Sequence, residues 1–441
     1  MSRDARIPGR IQRHPAVRLR REAWGGFAFH RETGDLLELD RPAFDAAYLL
    51  GEARTGPELC AILRARGHEA TRTETIPLLR DLEARAIIRR VAADEPSLPV
   101  DHPAEDPITD DGPGLRAPIV AHWAVTYRCN LSCAFCYAES GPEREPEPAP
   151  MVRRRIVERL AAWGVLEVAI GGGEPTVLPD LPEVLAAIRA VGMVPNVTTN
   201  GTLHRADVIE ALAACAGMVH LSADRPDRLD AARGPGVSER LRRNARELAR
   251  AGARLGVNLL LTPDNVHDLR RSLDEALDLG AWGITLLRPK GEWVRANWPG
   301  FPSAADLDAA AEAIRAFTAG RPAVRLYVDT ALRGEWAKLG LLEDPEPDVV
   351  GCGGGQRHIA ITPEGDVFPC SHARLADFRM GDLLIDDVDQ IWSRGSGESA
   401  RRRYIKSCRG FRCACRGPAQ PTGPALPPGR SDPRRIVDPR S

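Results

Sequence analysis

The feature that most restricts the fold of this chain is a regular alternation of strand and helix patterns between His122 and Leu287. Six short apolar segments are predicted as strands, separated by stretches with helical apolar spacing. These segments are 122–127, 166–170, 195–199, 218–222, 255–261 and 284–287. The alternation predicts an α/β domain with a parallel sheet, either open or curled into a partial barrel. In both arrangements the active site lies at the C-terminal ends of the strands.

Three cysteines follow the first of these strands. Cys129, Cys133 and Cys136 place three thiols in one loop at the predicted active face. A structural zinc site needs four protein ligands, and no suitable fourth residue follows closely. A four-iron cluster held by three cysteines instead leaves one iron free for a substrate or cofactor. Zinc with a remote fourth ligand remains the alternative.

The loop resembles the signature of the radical S-adenosylmethionine (SAM) superfamily, including the aromatic Phe135 before the third cysteine. The resemblance implies a partial (β/α)6 TIM-type barrel in which Cys129, Cys133 and Cys136 hold a catalytic 4Fe-4S cluster. The free iron chelates SAM, and one-electron reduction cleaves SAM to a 5'-deoxyadenosyl radical. Phe135 is implied to lie beside the adenine, with ordinary loop packing as its alternative.

A glycine-rich turn follows the second strand. Gly171-Gly172-Gly173-Glu174-Pro175 combines close backbone approach with an acid that can take a positive group. It resembles the family's GGE motif, which implies that Gly172, Gly173 and Glu174 hold the methionine amino group. A tight strand-to-helix turn is the alternative. Later strand ends resemble family positions around the ribose, the methionine carboxylate and the adenine, although each also fits a turn, cap or core residue: Asn200, Ser222, Asp224, Arg233 and Asn258.

Residues 331–416 carry a second cysteine group. Its members are Cys352, Cys370, Cys408, Cys413 and Cys415. The arrangement resembles the SPASM or shorter twitch appendix of radical SAM enzymes, which implies auxiliary 4Fe-4S clusters. Five thiols suffice for one such cluster with one to spare, and the spacing does not decide which four are ligands. A zinc ribbon is the alternative.

Residues 17–93 form a separate small unit in this prediction. A strand, a hairpin and helical patterns over 42–50, 56–66 and 73–89 resemble a PqqD-like peptide-recognition domain of winged-helix outline. The resemblance implies that a leader peptide adds as a strand along 36–39, beside the last helix. A nucleic-acid module or a purely structural domain is the alternative. The flanking segments are predicted as a mobile basic arm (1–16), an extended linker (94–118), the barrel domain (119–330) and a disordered tail (417–441).

Charge and hydropathy exclude several functions. Sixty basic and 61 acidic residues leave a formal charge of −1, which provides no global field for nucleic acid. The N-terminus lacks an apolar signal region and no apolar stretch approaches a membrane span, so no membrane partner is predicted. Eight of the ten cysteines fall into the two groups above, which favours metal ligation in the reducing cytoplasm.

The three resemblances together predict a maturase for a ribosomally made precursor peptide. The leading product is a thioether cross-link, followed by a carbon-carbon or carbon-oxygen cross-link. A reductant such as flavodoxin or ferredoxin is the expected second partner. Two alternatives stay open: an enzyme of heme-type or quinone-type cofactor biosynthesis, and a non-catalytic iron-sulfur protein that binds peptides or regulates.

Overall fold

The computed structural model describes residues 9–101, 114–145, 147–203, 205–225, 229–290, 294, 298–319, 321, 324–329, 332, 353–410 and 436–437. The chain divides into two compact units, with the first boundary between Arg116 and Ala117. This boundary falls inside the predicted linker 94–118. No helix in the described part of the chain is long and apolar enough to cross a membrane.

In its described residues, the first unit contains two small sheets and three helices. Its elements are β1 Arg10–Arg13, β2 Val17–Glu22, β3 Gly25–His30, β4 Leu36–Asp40, α1 Arg41–Leu49, β5 Arg54–Thr55, α2 Gly56–Ala65, α3 Arg72–Ala84 and β6 Ile88–Val91. One sheet has the order β5-β1-β6, and in the other β2, β3 and β4 are antiparallel. The Asp40 carboxylate begins α1 by accepting from the Ala43 backbone N–H at 2.9 Å. Phe27, Phe29 and Phe44 are fully buried in this unit.

Three predictions for this unit differ from the structure. Part of the predicted mobile arm is strand β1. The segment is ordered rather than mobile because its buried Arg13 side chain donates to the carbonyls of Ala47 and Asp101. The helix predicted over 73–89 ends at Ala84, and the chain then reverses into β6, which pairs with β1. Within the tail predicted to be disordered, Ile436–Val437 forms strand β17, which pairs with β4. Without this strand the outer edge of β4 would expose unpaired backbone groups, and the β-branched residues Ile and Val favour strands.

The second unit contains the predicted strand-helix repeat. Its elements are β7 Val120–Thr126, α4 Pro150–Trp163, β8 Glu167–Gly172, α5 Leu181–Ala190, β9 Val194–Thr199, α6 Ala206–Cys215, β10 Met218–Ser222, α7 Leu229–Arg233, α8 Val237–Arg250, β11 Leu255–Leu260, α9 Pro263–Val266, α10 Leu269–Asp278, β12 Gly283–Leu287, α11 Ala304–Ala319 and β13 Arg325–Val328. Strands β7 to β13 are parallel and lie in chain order. The α/β class is confirmed, and β13 adds a seventh strand to the six predicted.

The C-terminal segment continues this same sheet. It contains β14 His358–Ile361, β15 Asp366–Phe368, β16 Gly381–Asp382, α12 Val388–Trp392 and α13 Gly395–Gly410. Strand β14 lies parallel to β7 on the side away from β8, and β15 and β16 follow in antiparallel pairing. The turn between β14 and β15 therefore lies at the same end of the sheet as the cysteine loop that follows β7.

Candidate active site

The cysteine loop after β7 is closed at its base by backbone pairing. The Cys129 N–H donates to the Gly141 carbonyl at 3.1 Å, and the Gly141 N–H donates to the Tyr127 carbonyl at 3.3 Å. Inside the loop, the sulfur of Cys129 accepts from the Leu131 N–H at 3.4 Å, and the sulfur of Cys136 accepts from the Ser140 N–H at 3.5 Å. Backbone donors aimed at sulfur stabilise thiolates and tune iron-sulfur clusters, so this donor set fits a cluster.

The thiols in this loop are free and partly shielded from water. Burial raises the pKa of the Cys129 thiol to about 11, although the Leu131 N–H opposes the rise. Burial also raises the pKa of Cys133. Within the described residues, no three His, Cys, Asp or Glu side chains already have the arrangement of a metal site. Because ligation requires thiolates, cluster assembly here has to release protons.

The glycines after β8 hold the base of the cysteine loop. The Gly173 N–H donates to the Thr126 carbonyl at 2.7 Å, and the Glu174 N–H donates to the Arg128 carbonyl at 2.9 Å. Gly172 has a φ of +109°, and a Cβ on Gly173 would overlap with the Arg128 carbonyl oxygen. The glycine run therefore lets two backbones touch at the stem that carries Cys129.

Replacing Gly173 by Ala is expected to displace this stem and weaken cluster binding. The overlap is with backbone, so relief requires the loop to move, at a cost of about 1–3 kcal/mol. Iron per chain after anaerobic reconstitution, and the midpoint of denaturant unfolding, measure the effect. Gly171→Ala is the matched control, because a Cβ at Gly171 meets nothing within 4 Å. Equal iron content and stability in the two variants would contradict the role given to Gly173.

The Glu174 carboxylate joins the ends of two strands. Its Oε1 accepts from the Thr176 N–H at 3.0 Å, the Thr176 hydroxyl at 2.6 Å and the Thr199 hydroxyl at 2.7 Å. Its Oε2 accepts from the Asn200 N–H at 2.7 Å. Burial raises the pKa of Glu174 despite these four donors, so the ionised form costs stability in the folded chain. A cation bound beside Oε2 would offset that cost.

Asn200 connects this network to the cysteine loop. Its amide nitrogen donates to the Asn130 side-chain oxygen at 2.9 Å and lies 3.8 Å from the Cys129 sulfur. Asn130 in turn donates to the Thr202 hydroxyl at 2.8 Å. Sequence reasoning selected Asn200 but missed Asn130, whose only local signal is its place directly after Cys129. The structure thus joins Glu174, Asn200 and Cys129 through short polar contacts.

Asp224, Arg233 and Phe135 form a second group at the same loop. The Asp224 carboxylate accepts from Arg233 Nε at 3.0 Å and Nη2 at 2.5 Å, and both side chains are nearly buried. The Arg233 guanidinium carbon lies 5.2 Å from the centre of the Phe135 ring. Burial alone would lower the pKa of Arg233. The negative charges of Asp224, Cys133 and Cys129 together have a larger opposite effect, so the pKa is raised above its ordinary value. A permanent positive charge is therefore held beside the cysteines.

Ser222 and Asn258 are the remaining two predicted site residues. They are direct neighbours in the register of β10 and β11, and both are half-buried. In the described part of the chain, no hydrogen bond joins either side chain to the cysteine loop. Their predicted contact with SAM stays a prediction. Trp298, which sequence reasoning missed, packs its ring 5.5 Å from that of Phe135.

The second cysteine group is described only in part. The buried Cys370 follows β15, and its sulfur accepts from the His372 N–H at 3.4 Å. The backbone of Cys408 lies in α13, whereas its side chain is outside the described residues, as are Cys352, Cys413 and Cys415. A thiol with a backbone donor fits an iron-sulfur ligand in the same way as Cys129.

Comparison with known proteins decides the family. Residues 123–276 match the profile of the Radical SAM superfamily, and residues 352–415 match an iron-sulfur cluster-binding domain of SPASM type. Mycofactocin maturase MftC of Mycobacterium ulcerans is 31% identical over 319 residues, which covers 67% of this chain and 83% of that protein. The chain belongs to the radical SAM superfamily. Its predicted cofactors, SAM and 4Fe-4S clusters that include an auxiliary one, are confirmed.

Other radical SAM proteins agree with this assignment. The PqqA peptide cyclase of Streptomyces rochei is 28% identical over 363 residues, which covers 74% of this chain and 93% of that protein. The crystal structure of Streptococcus suis SuiB bound to the precursor peptide SuiA has a TM-score of 0.67 and 18% identity, and covers 92% of this chain and 93% of that one. The likeness to SuiB shows a shared fold.

Proposed function

We propose that this radical SAM enzyme installs a cross-link in a ribosomally made precursor peptide whose leader binds the first unit. The observation that carries the proposal is the outer edge of β4, which accepts an added strand. Ile436 and Val437 pair there with Leu37 and Leu36 in antiparallel register. An edge that takes one extended segment offers the same backbone groups to another, which is the usual mode of strand addition. The relatives named as a maturase and a peptide cyclase support a peptide substrate.

The residues of the barrel have distinct roles in this proposal. Cys129, Cys133 and Cys136 hold the cluster, and the Gly172–Gly173 backbone fixes their loop. Glu174 provides negative charge for the methionine amino group, while Arg233, held by Asp224, provides positive charge for the carboxylate. When bound, the cluster and SAM supply the radical that removes a hydrogen from the peptide. Phe135 and Trp298 form an apolar wall beside the cysteine loop.

Cys370 is proposed as one of the ligands that would hold the auxiliary cluster, and that cluster would supply an acceptor for the one electron that the peptide radical has to lose. A thioether to a cysteine sulfur is the leading product, and a carbon-carbon or carbon-oxygen cross-link is the next. Flavodoxin or ferredoxin is the proposed reductant. We place the enzyme in the cytoplasm, because its thiols must stay reduced to bind clusters.

The decisive experiment is coexpression with each short open reading frame found near the gene, followed by mass spectrometry of the peptide. A cross-link removes two hydrogens from the peptide, and fragmentation locates the bond. Iodoacetamide labelling separates a thioether from the other products, because a thioether consumes the cysteine thiol. Deoxyadenosine formation with an unchanged peptide would contradict the proposal. Turnover of a tetrapyrrole or quinone precursor would favour the cofactor-biosynthesis alternative, to which the mycofactocin relatives give partial support.

Deletion of residues 424–441 is expected to tighten leader binding. Strand β17 occupies the edge of β4 that the leader would use, so only chains with a free edge bind. If the edge is free in one chain in ten, deletion tightens the apparent Kd about tenfold. Fluorescence anisotropy of a labelled leader peptide measures the change. SAM cleavage without peptide serves as the control, since the cysteine loop belongs to the other unit. Unchanged or weaker binding would contradict the prediction.

A further inference from the structure

Two aromatic side chains connect the cysteine groups of the barrel and the C-terminal domain. Tyr137 directly follows Cys136, and His372 lies two residues after Cys370. The centres of their rings are 4.3 Å apart and the ring planes are inclined by 30°. This is a packed contact between rings from distant parts of the chain. Each ring belongs to a residue one or two positions after a predicted cluster ligand.

The ring of His372 is fixed relative to the Cys370 sulfur. Its backbone N–H donates to that sulfur at 3.4 Å, and its Nδ1 lies 3.7 Å from the same atom. The Ser371 hydroxyl lies 3.2 Å from Nδ1 on the other side. The imidazole of His372 is thus in direct contact with the Cys370 sulfur.

A second contact holds the cysteine loop against the same segment. The Arg374 guanidinium carbon lies 4.8 Å from the centre of the Tyr127 ring, and Nη2 donates to the Tyr137 carbonyl at 3.5 Å. Tyr127 and Tyr137 flank the three cysteines. Segment 370–374 therefore touches both ends of the loop, which keeps the ring contact in place.

We propose that the Tyr137–His372 contact carries one electron from the auxiliary cluster back to the radical SAM cluster. This inference rests on the proposed role of the auxiliary cluster as an electron acceptor. In the step, the auxiliary cluster is oxidised by one electron and the radical SAM cluster is reduced by one. No bond forms or breaks, and no proton moves. The electron taken from the peptide radical then serves the next cleavage of SAM.

The bonds and contacts between Cys136 and Cys370 support these two residues as the route. Electron tunnelling weakens exponentially with distance and crosses bonded atoms and packed rings better than empty space. From Cys136 the path runs through one peptide bond to Tyr137, across the ring contact, and through His372 to the Cys370 sulfur.

The test follows the auxiliary cluster after SAM is added to reduced protein. Holoprotein is reduced with dithionite, the excess is removed, and SAM is added without peptide. Freeze-quench EPR records the auxiliary signal while deoxyadenosine is counted. We expect two phases in wild type: one cleavage per chain from the resident electron, then a second as the auxiliary signal decays. Tyr137→Leu should leave the first phase intact and slow the second by roughly tenfold or more.

Two variants control for ring chemistry and general damage. Tyr137→Phe keeps the ring and should restore the second phase. Phe378→Leu removes another ring contact of the same domain, the 5.5 Å contact with Tyr404, and should leave the second phase unchanged. Iron content and the auxiliary midpoint potential are measured for each variant. A potential shift of about 59 mV or more in Tyr137→Leu would assign the slowing to driving force and overturn the proposal.

Two further results would also overturn the inference. One is a wild type whose auxiliary signal persists after the first phase. The other is a second phase in Tyr137→Leu that is as fast as in wild type. Because no peptide is present, neither result depends on the proposed peptide substrate. Failure of that function is detected separately, by an unmodified peptide in the coexpression experiment.

Discussion

Replacing Cys129, Cys133 and Cys136 together by Ala is expected to abolish 5'-deoxyadenosine formation. Iron should fall from about eight to about four atoms per chain, because one of two four-iron clusters loses all its protein ligands. The three sulfurs lie on one loop closed by backbone hydrogen bonds, so their removal leaves the surrounding sheet in place. The auxiliary EPR signal should survive in this variant, which separates loss of a cluster from loss of the fold.

The measurement combines iron and sulfide analysis after anaerobic reconstitution with chromatography of deoxyadenosine. Cys215→Ala is the matched control, because Cys215 is a free, half-buried cysteine at the end of α6 and belongs to neither cysteine group. It should retain full iron and full SAM cleavage. Zinc in place of iron in wild type, or deoxyadenosine from the triple variant, would contradict the assignment of these cysteines.

Replacing Glu174 by Gln is expected to weaken SAM binding by tenfold or more, which is about 1.4 kcal/mol for each factor of ten. The reason is electrostatic. Burial raises the pKa of Glu174, so its negative charge destabilises the empty protein as pH rises through that pKa. That cost is offset only when a cation, here the methionine ammonium, binds beside the carboxylate. The amide keeps the size of the side chain but removes this attraction.

Stability distinguishes a binding role from a structural one in this variant. The substitution removes a buried negative charge, which favours the folded state. It also places an N–H₂ group among four hydrogen-bond donors, which disfavours the folded state. The net change in the free energy of unfolding is expected to stay within about 2 kcal/mol. Anaerobic calorimetry with SAM measures the affinity, and Glu183→Gln on the exposed face of α5 is the control. A well-folded variant with wild-type affinity would show that Glu174 only ties the strand ends together.

The sequence predicted most where the signal is local. The cysteine spacing, the glycine run and the six strands are each set by a few neighbouring residues. The family profile confirms the radical SAM assignment and the sheet confirms the six strands, while the roles of the individual cysteines and glycines stay predictions. The C-terminal ends of parallel strands meet at one face, which is why Glu174, Asn200 and Cys129 lie within hydrogen-bonding reach. The glycine-rich motif did not predict that the carboxylate of Glu174 would be buried.

Predictions failed where a distant partner decides the structure. Arg13 was assigned to a mobile arm because an arginine-rich segment is usually solvated, yet its side chain is buried and its two Nη atoms donate to the carbonyls of Ala47 and Asp101. The last helix of the first unit was extended too far, because its helical spacing continues through residues that pair with β1. The contact between Tyr137 and His372 depends on the pairing of β14 with β7, and local sequence contains no signal for that pairing.

The position of β14 also has a consequence for synthesis of the chain. During translation β7 emerges early, but its partner on the side away from β8 is encoded after residue 357. Until then β7 has an unpaired edge that other chains can recognise. Anything that slows the ribosome between these strands prolongs that exposure. The yield of folded enzyme should therefore depend on how quickly translation passes this interval.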